Sequence, residues 1–273
     1  MKNGSMFATV RELLRLKLSP EAFAYFRACS WYCRFFLPRR IGSVLIRRSP
    51  VVYNPPSSLA ERIRAVNVFA PTEMCRVMTR YASDKGEGWH NYTTVYSALF
   101  RALRGRSLRI FELGLGTNNP SLASSMGARG RPGASLRGWR DLFPSSLVFG
   151  ADIDRNCLFQ DNRIQTFWCD QLSVQAIRDL WAQSALQGGM DIIIDDGLHT
   201  FDGNASLLSG SLEHLRPNGI YVIEDITRDD FERWREQLPI YSARYPDYEF
   251  VLAKLPSSSN DWDNNLLIIQ RRP

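Results

Sequence analysis

From Leu108 onward the chain alternates short, uninterrupted apolar runs with longer amphipathic stretches. The runs are Arg109–Leu115 (RIFELGL), Leu147–Asp152 (LVFGAD), Ile164–Cys169 (IQTFWC), Asp191–Asp195 (DIIID) and Ile220–Glu224 (IYVIE). Continuous β-branched, aliphatic and aromatic residues mark strands buried on both faces, as in parallel sheets covered by helices. The stretches between them, notably 173–186 and 204–215, carry helical spacing, so the series predicts βαβ units with right-handed crossovers. Two further runs, Glu249–Lys254 and Leu266–Gln270, flank the loop LPSSSNDWDNN. They predict an antiparallel hairpin at the sheet edge, giving a seven-stranded, mostly parallel α/β sheet.

The first third of the chain has a different pattern. Residues 1–50 interleave aromatics with arginines, as in EAFAYFRACSWYCRFFLPRR, and Pro50–Ser58 is a proline-rich connector. Helical patterns follow at about 58–69, 71–82 and 92–104, with the polar, glycine-punctuated ASDKGEGWHN before the last. The division expected is a helical extension and linker over 1–80 and an α/β domain over 81–273.

Charge sharpens that division. Residues 1–50 carry ten Lys/Arg against Glu12 and Glu21, whereas the whole chain of 273 residues is only +6. Such an arginine-and-aromatic segment reads first as a helical cap or homo-oligomer contact with a solvated basic face. Its second reading is an amphipathic helix on an anionic membrane. No run of 18 apolar residues and no secretory leader pattern is present, and the five cysteines show no paired or metal-binding spacing. A cytoplasmic protein is expected, with peripheral contact at the inner membrane face under the second reading.

The chemistry lies where the strands end. MDIIIDDGLHT and GIYVIEDI finish in Asp195, Asp196, His199, Glu224 and Asp225. In open α/β sheets ligands bind at the carboxyl ends of the strands. Carboxylates and an imidazole at one such edge suggest a hard-metal site beside a general base, and the fourth and fifth strands should be neighbours about 4.8 Å apart.

The first strand ends in Glu112, Gly114 and Gly116 (FELGLG), the second in Asp152, and the third in Asp170-Gln171. Gly-x-Gly permits close backbone approach to a nucleotide-like ligand, but a third glycine opening a helix is missing, so the pyrophosphate device of dinucleotide folds is absent. Asp152 is placed to accept ribose hydroxyls, and Asp170-Gln171 to read an adenine amino group. Acids at three strand ends without a phosphate device fit a cationic, phosphate-free nucleoside; S-adenosylmethionine is such a ligand. Five parallel strands closed by a hairpin is the Rossmann-like layout of class I methyltransferases.

In order, SDKGEGWHNYTTVY, FELGLGTNNP, GASLRGWRDLFP, VFGADID, RIQTFWCDQ, DIIIDDGLH and GIYVIEDI resemble the metal-dependent sugar O-methyltransferases of macrolide biosynthesis. That is the mycinamicin and tylosin 2-O-methyltransferase group, with related cephalosporin-cluster proteins. The resemblance covers about residues 81–230. It implies Mg²⁺ held by Asp196, Glu224 and Asp225, with His199 as base and Asp195 supporting the cofactor side. It also implies that Lys85 and Tyr92 lie over the cofactor, that Ser135 contacts it, and that His90 and Arg137 face the substrate. Leu198 departs from the family's usual serine.

Together these readings point to an S-adenosylmethionine-dependent methyl transfer to a sugar hydroxyl, on a glycoside, glycolipid or polysaccharide. A methyltransferase for another small molecule or for nucleic acid is the first alternative. Against the nucleic-acid form of it, the excess positive charge lies away from the strand-end acids. The second alternative is a non-catalytic cofactor-binding subunit, disfavoured by the intact set of Asp196, His199, Glu224 and Asp225.

Overall fold

Among the described residues, nine strands form one sheet: β1 (Val51–Tyr53), β2 (Arg109–Leu113), β3 (Leu147–Asp152), β4 (Gln160–Asp161), β5 (Ile164–Trp168), β6 (Met190–Asp195), β7 (Leu215–Ile223), β8 (Tyr248–Lys254) and β9 (Asn265–Arg271). The computed structural model describes residues 48–53, 57–86, 88–122, 124–128 and 130–273. All fall within the compact unit Arg47–Pro273. The cap, oligomer and membrane readings made for residues 1–50 rest on positions up to 47, outside the described residues.

The strand order is β1-β8-β9-β7-β6-β2-β3-β5-β4. β5, β3, β2, β6 and β7 are mutually parallel, and β9 and β8 close the sheet as the expected antiparallel hairpin. Two strands exceed the seven expected. β1 pairs antiparallel with β8, and β4 with β5. Both are too short to produce a periodic signal. β1 lies in the proline-rich stretch read as a linker, and it covers the otherwise unpaired edge of β8.

The boundary expected at residue 80 moves for a related reason. Helices α1 (Ser58–Arg64) and α2 (Glu73–Arg80) bury Leu59, Ile63, Met74 and Met78. They enter the same apolar cluster as Tyr96 of α3 (Tyr92–Leu99) and Trp139 of α4 (Ala134–Leu142). Each such side chain contributes about 1.5–3 kcal/mol on burial. Residues 48–80 therefore belong to the α/β domain rather than to an extension. Helices α5 (Val174–Trp181), α6 (Phe201–Ser211) and α7 (Arg228–Arg244) cover the other face through Ile177, Leu180, Leu207, Leu208, Trp234 and Leu238.

Strand period two allocates the core. Ile110, Ile192, Ile194 and Val222 face α1–α4, whereas Phe111, Leu113, Ile193, Tyr221 and Ile223 face α5–α7. Among the described residues, no helix is long and apolar enough to cross a membrane.

Candidate active site

The same alternation sorts the acids at the strand ends. Glu112 follows Ile110 toward α4, where it accepts hydrogen bonds from Ser135 Oγ and Trp139 Nε1, both at 2.5 Å. Glu224 follows Val222 toward α3 and accepts from the Tyr96 hydroxyl. Asp195 faces the opposite side, fully buried, and accepts from Gln171 Nε2 at 2.7 Å, Asn204 Nδ2 at 3.0 Å and the Gly197 amide at 3.3 Å. Burial still pushes Asp195 up to about 6, against these donors.

Beyond β6 and β7 the chain turns sharply, and His199 and Asp225 adopt left-handed backbone with φ of 57° and 51°. Such conformations cost a non-glycine residue energy and persist where the surroundings fix them. They bring His199 Nε2 to 3.3 Å from Asp196 Oδ1 and 3.7 Å from Asp225 Oδ2. Asp225 Oδ1 accepts from the Tyr92 hydroxyl at 2.7 Å and lies 3.5 Å from His90 Nε2. Thr200 then caps α6 by accepting the Gly203 amide at 3.3 Å, so the turn passes directly into a helix.

A cavity of about 640 Å³ opens beside this cluster, in the range of small-ligand sites. Its lining runs along the ends of β2, β3, β5 and β6: Gly114 and Gly116, Asp152, Asp170 and Gln171, and Asp196 with His199. Gly114 is required there, because its φ is +94° and a Cβ would fall 1.9 Å from the Asp196 carbonyl oxygen. Asp152 is already anchored, accepting the Leu115 amide through Oδ2 and the Asp154 amide through Oδ1, each at 2.8 Å. Ile153 and Leu172, which follow it and Gln171, line the cavity while 47% and 57% exposed, an apolar pair suited to a flat ring.

The electrostatics differ along the edge. The Lys85 ammonium is buried, donates to Asp196 Oδ2 and Glu224 Oε2, and lies 3.5 Å from Glu112 Oε1. Burial would lower Lys85, but Asp196, Glu112 and Glu224 outweigh it and hold Lys85 charged. Burial also raises Glu112, Glu224 and Asp225, and neighbouring carboxylates add to it, so the acids are undercompensated. His199 is raised to about 10: burial opposes, but Asp196 and Asp225 prevail.

This donor set fits a hard divalent cation. Asp196, His199 and Asp225 each bring one ligand atom within 4.8 Å of the others, and His199 Nε2 is buried without a hydrogen-bond partner. Glu224, expected as a third carboxylate ligand, is instead engaged by Lys85 and Tyr96.

The residues singled out in the sequence thus divide. Lys85, Gly114, Gly116, Ser135, Asp152, Asp170, Gln171, Asp196, His199 and Asp225 line the cavity. Glu112, Tyr92, Asp195 and Glu224 do not; they sit behind it, each in the hydrogen bonds given above. His90 is buried against Asp225 and 3.4 Å from Asn260 Nδ2, and Arg137 donates to the Pro132 and Gly133 carbonyls across the Phe159 ring. The sequence reading missed Ile153, Leu172, Tyr96 and Asn204. An apolar residue directly after a strand-end acid was a usable signal for the first two; the others are ordinary helix positions.

No family model matches the chain. L-olivosyl-oleandolide 3-O-methyltransferase of Streptomyces antibioticus is 35% identical over 176 residues, 62% of this chain and 42% of that protein. The 8-demethyl-8-alpha-L-rhamnosyl tetracenomycin-C 2'-O-methyltransferase of Streptomyces olivaceus is 34% identical over 147 residues, 54% of this chain and 36% of that protein. The relatives matched in this way are O-methyltransferases. The chain spans less than half the length of the curated relatives it matches. Among solved structures, MycE methyltransferase from the mycinamycin biosynthetic pathway, in complex with Mg and SAH, matches with a TM-score of 0.56 at 21% identity, over 74% of this chain and 55% of that one. That likeness establishes the fold: the Rossmann-like sheet of class I methyltransferases.

Proposed function

We propose that the protein transfers the methyl group of S-adenosylmethionine to a hydroxyl of a sugar-containing acceptor, of the rhamnosyl or olivosyl kind named for its relatives. The observation that carries the reading is continuity: the cavity along β2, β3 and β5 runs into the Asp196–His199–Asp225 cluster at β6 and β7. The nucleoside occupies the cavity, its ribose at Asp152 and its adenine between Ile153 and Leu172 near Asp170 and Gln171. The acceptor approaches from the side of His199.

Asp196 and Asp225, with Glu224 behind them, would hold a Mg²⁺ ion, leaving His199 free of the metal. When bound, such an ion lowers the pKa of a coordinated hydroxyl and orients it. His199 takes the hydroxyl proton at Nε2 as the methyl is transferred. It can do so only when another cation compensates Asp196 and Asp225, which otherwise keep it protonated. Tyr92 and His90 fix the Asp225 carboxylate, which aligns the groups around His199.

The test is methyl transfer from labelled S-adenosylmethionine to a panel of L-rhamnosyl and L-olivosyl glycosides, with Mg²⁺ or with EDTA. Transfer that stops with EDTA and with His199→Ala supports the mechanism; transfer indifferent to both overturns it. The charge of residues 1–50 adds a membrane contact to the proposal, tested by flotation of the full chain with anionic against neutral liposomes.

A further inference from the structure

Lys85 is common to both halves of the site. It lies in the turn between α2 and α3, with its carbonyl accepting from the Thr93 amide and hydroxyl, each at 3.1 Å. Its side chain is 2% exposed and lines the cofactor cavity, yet its ammonium is bonded to Asp196 and Glu224. Asp196 is therefore divided: Oδ2 belongs to Lys85, and Oδ1 faces His199. A divalent cation beside Asp196 would meet this ammonium as a like charge, in a buried setting where screening is weak.

Resting on the function proposed above, we propose that Lys85 couples cofactor binding to cation binding. With the cavity empty, Lys85 is the internal counter-cation of Asp196 and Glu224 and competes with a metal ion for them. A nucleoside bearing an amino-acid carboxylate offers Lys85 another anion from within the same cavity. Lys85 passes to that carboxylate, and Asp196 and Glu224 become available to the cation. No bond is made or broken; an ion pair is exchanged. Because coupling between binding sites is reciprocal, the cation must tighten the nucleoside by the same factor.

The experiment is calorimetric titration of the full-chain protein with Mn²⁺ alone, and again with saturating S-adenosylhomocysteine or 5′-methylthioadenosine. The second nucleoside lacks the amino-acid carboxylate. S-Adenosylhomocysteine is expected to tighten Mn²⁺ at least tenfold, and Mn²⁺ to tighten S-adenosylhomocysteine equally, while 5′-methylthioadenosine changes Mn²⁺ affinity less than threefold. Lys85→Gln, checked for folding by circular dichroism, is expected to bind Mn²⁺ at least tenfold more tightly than wild type without nucleoside and to lose the coupling. Equal Mn²⁺ affinity with either nucleoside and with none overturns the coupling even if Lys85→Gln fails to fold, and so does weaker Mn²⁺ binding by a folded Lys85→Gln. Failure to bind S-adenosylhomocysteine at all sinks the methyltransferase reading itself and the coupling with it, whereas tight but independent binding sinks only the coupling.

Discussion

The two ends of the strand edge handle their buried acids in opposite ways. At the cofactor end, Asp152 has each oxygen bonded to a backbone amide and is held ready before any ligand arrives. At the β6–β7 end, Asp196, Glu224 and Asp225 share Lys85, two histidines and two tyrosines, and His199 Nε2 faces two carboxylates without a hydrogen bond to either. A fixed carboxylate suits recognition of a neutral ribose, where the donors must already be in place. An undercompensated cluster suits chemistry that brings in positive charge and moves a proton. The difference follows from which groups answer each acid: backbone amides in the tight turns after β2 and β3 hold Asp152, whereas side chains answer Asp196, Glu224 and Asp225.

The sharpest test of the contrast is His199→Ala. It is expected to lower the methyl-transfer rate by about 10²–10⁴-fold, the scale of general-base loss, while S-adenosylhomocysteine affinity stays within about threefold. Parallel loss of cofactor binding would erase the distinction between the two ends. Asp152→Ala attacks the other end. It strands the buried Leu115 and Asp154 amides at about 1–3 kcal/mol each, so chemical denaturation should show reduced stability. Calorimetry should show weaker nucleoside binding, with Mn²⁺ affinity kept; unchanged nucleoside affinity would remove Asp152 from the cofactor site.

Gly114→Ala should affect both ends, because its methyl meets the carbonyl of Asp196. A loss of about 1–3 kcal/mol in denaturant stability is expected, from backbone strain and overpacking. A neutral effect would mean that the two strand ends are not in fixed contact.

The last test concerns pH dependence. His199 has its pKa raised above the ordinary 6.5 to about 10. Its contribution to stability is therefore fully present below 6.5 and lost as pH rises toward 10. With chelator present, the melting temperature of the wild type should fall more steeply across that window than that of His199→Ala. Equal slopes would show that His199 is not held by Asp196 and Asp225.

Much of this could be read from the sequence, for identifiable reasons. The five parallel strands and the hairpin have apolar runs long enough to carry a signal, and acids that end such runs must gather at one sheet edge. β1 and β4, at three and two residues, carry no periodicity, and β1 exists because β8 offers it an edge. The helices at 58–80 were legible as helices, but nothing local shows that their apolar faces complete the main core.

The sequence by itself determined which residue types stand at the strand ends, because alternating burial and strand length are encoded within a few neighbouring residues. Only the tertiary structure decided which charge answers which. Lys85 meets Asp196 across 111 positions and Glu224 across 139, and Tyr92 meets Asp225 across 133. Such pairings arise from helix packing against the sheet, and no local pattern records them. They set apart the tandem acids Asp195 and Asp196: one is buried beneath the edge with its donors, and the other is turned into the cavity toward Lys85 and His199.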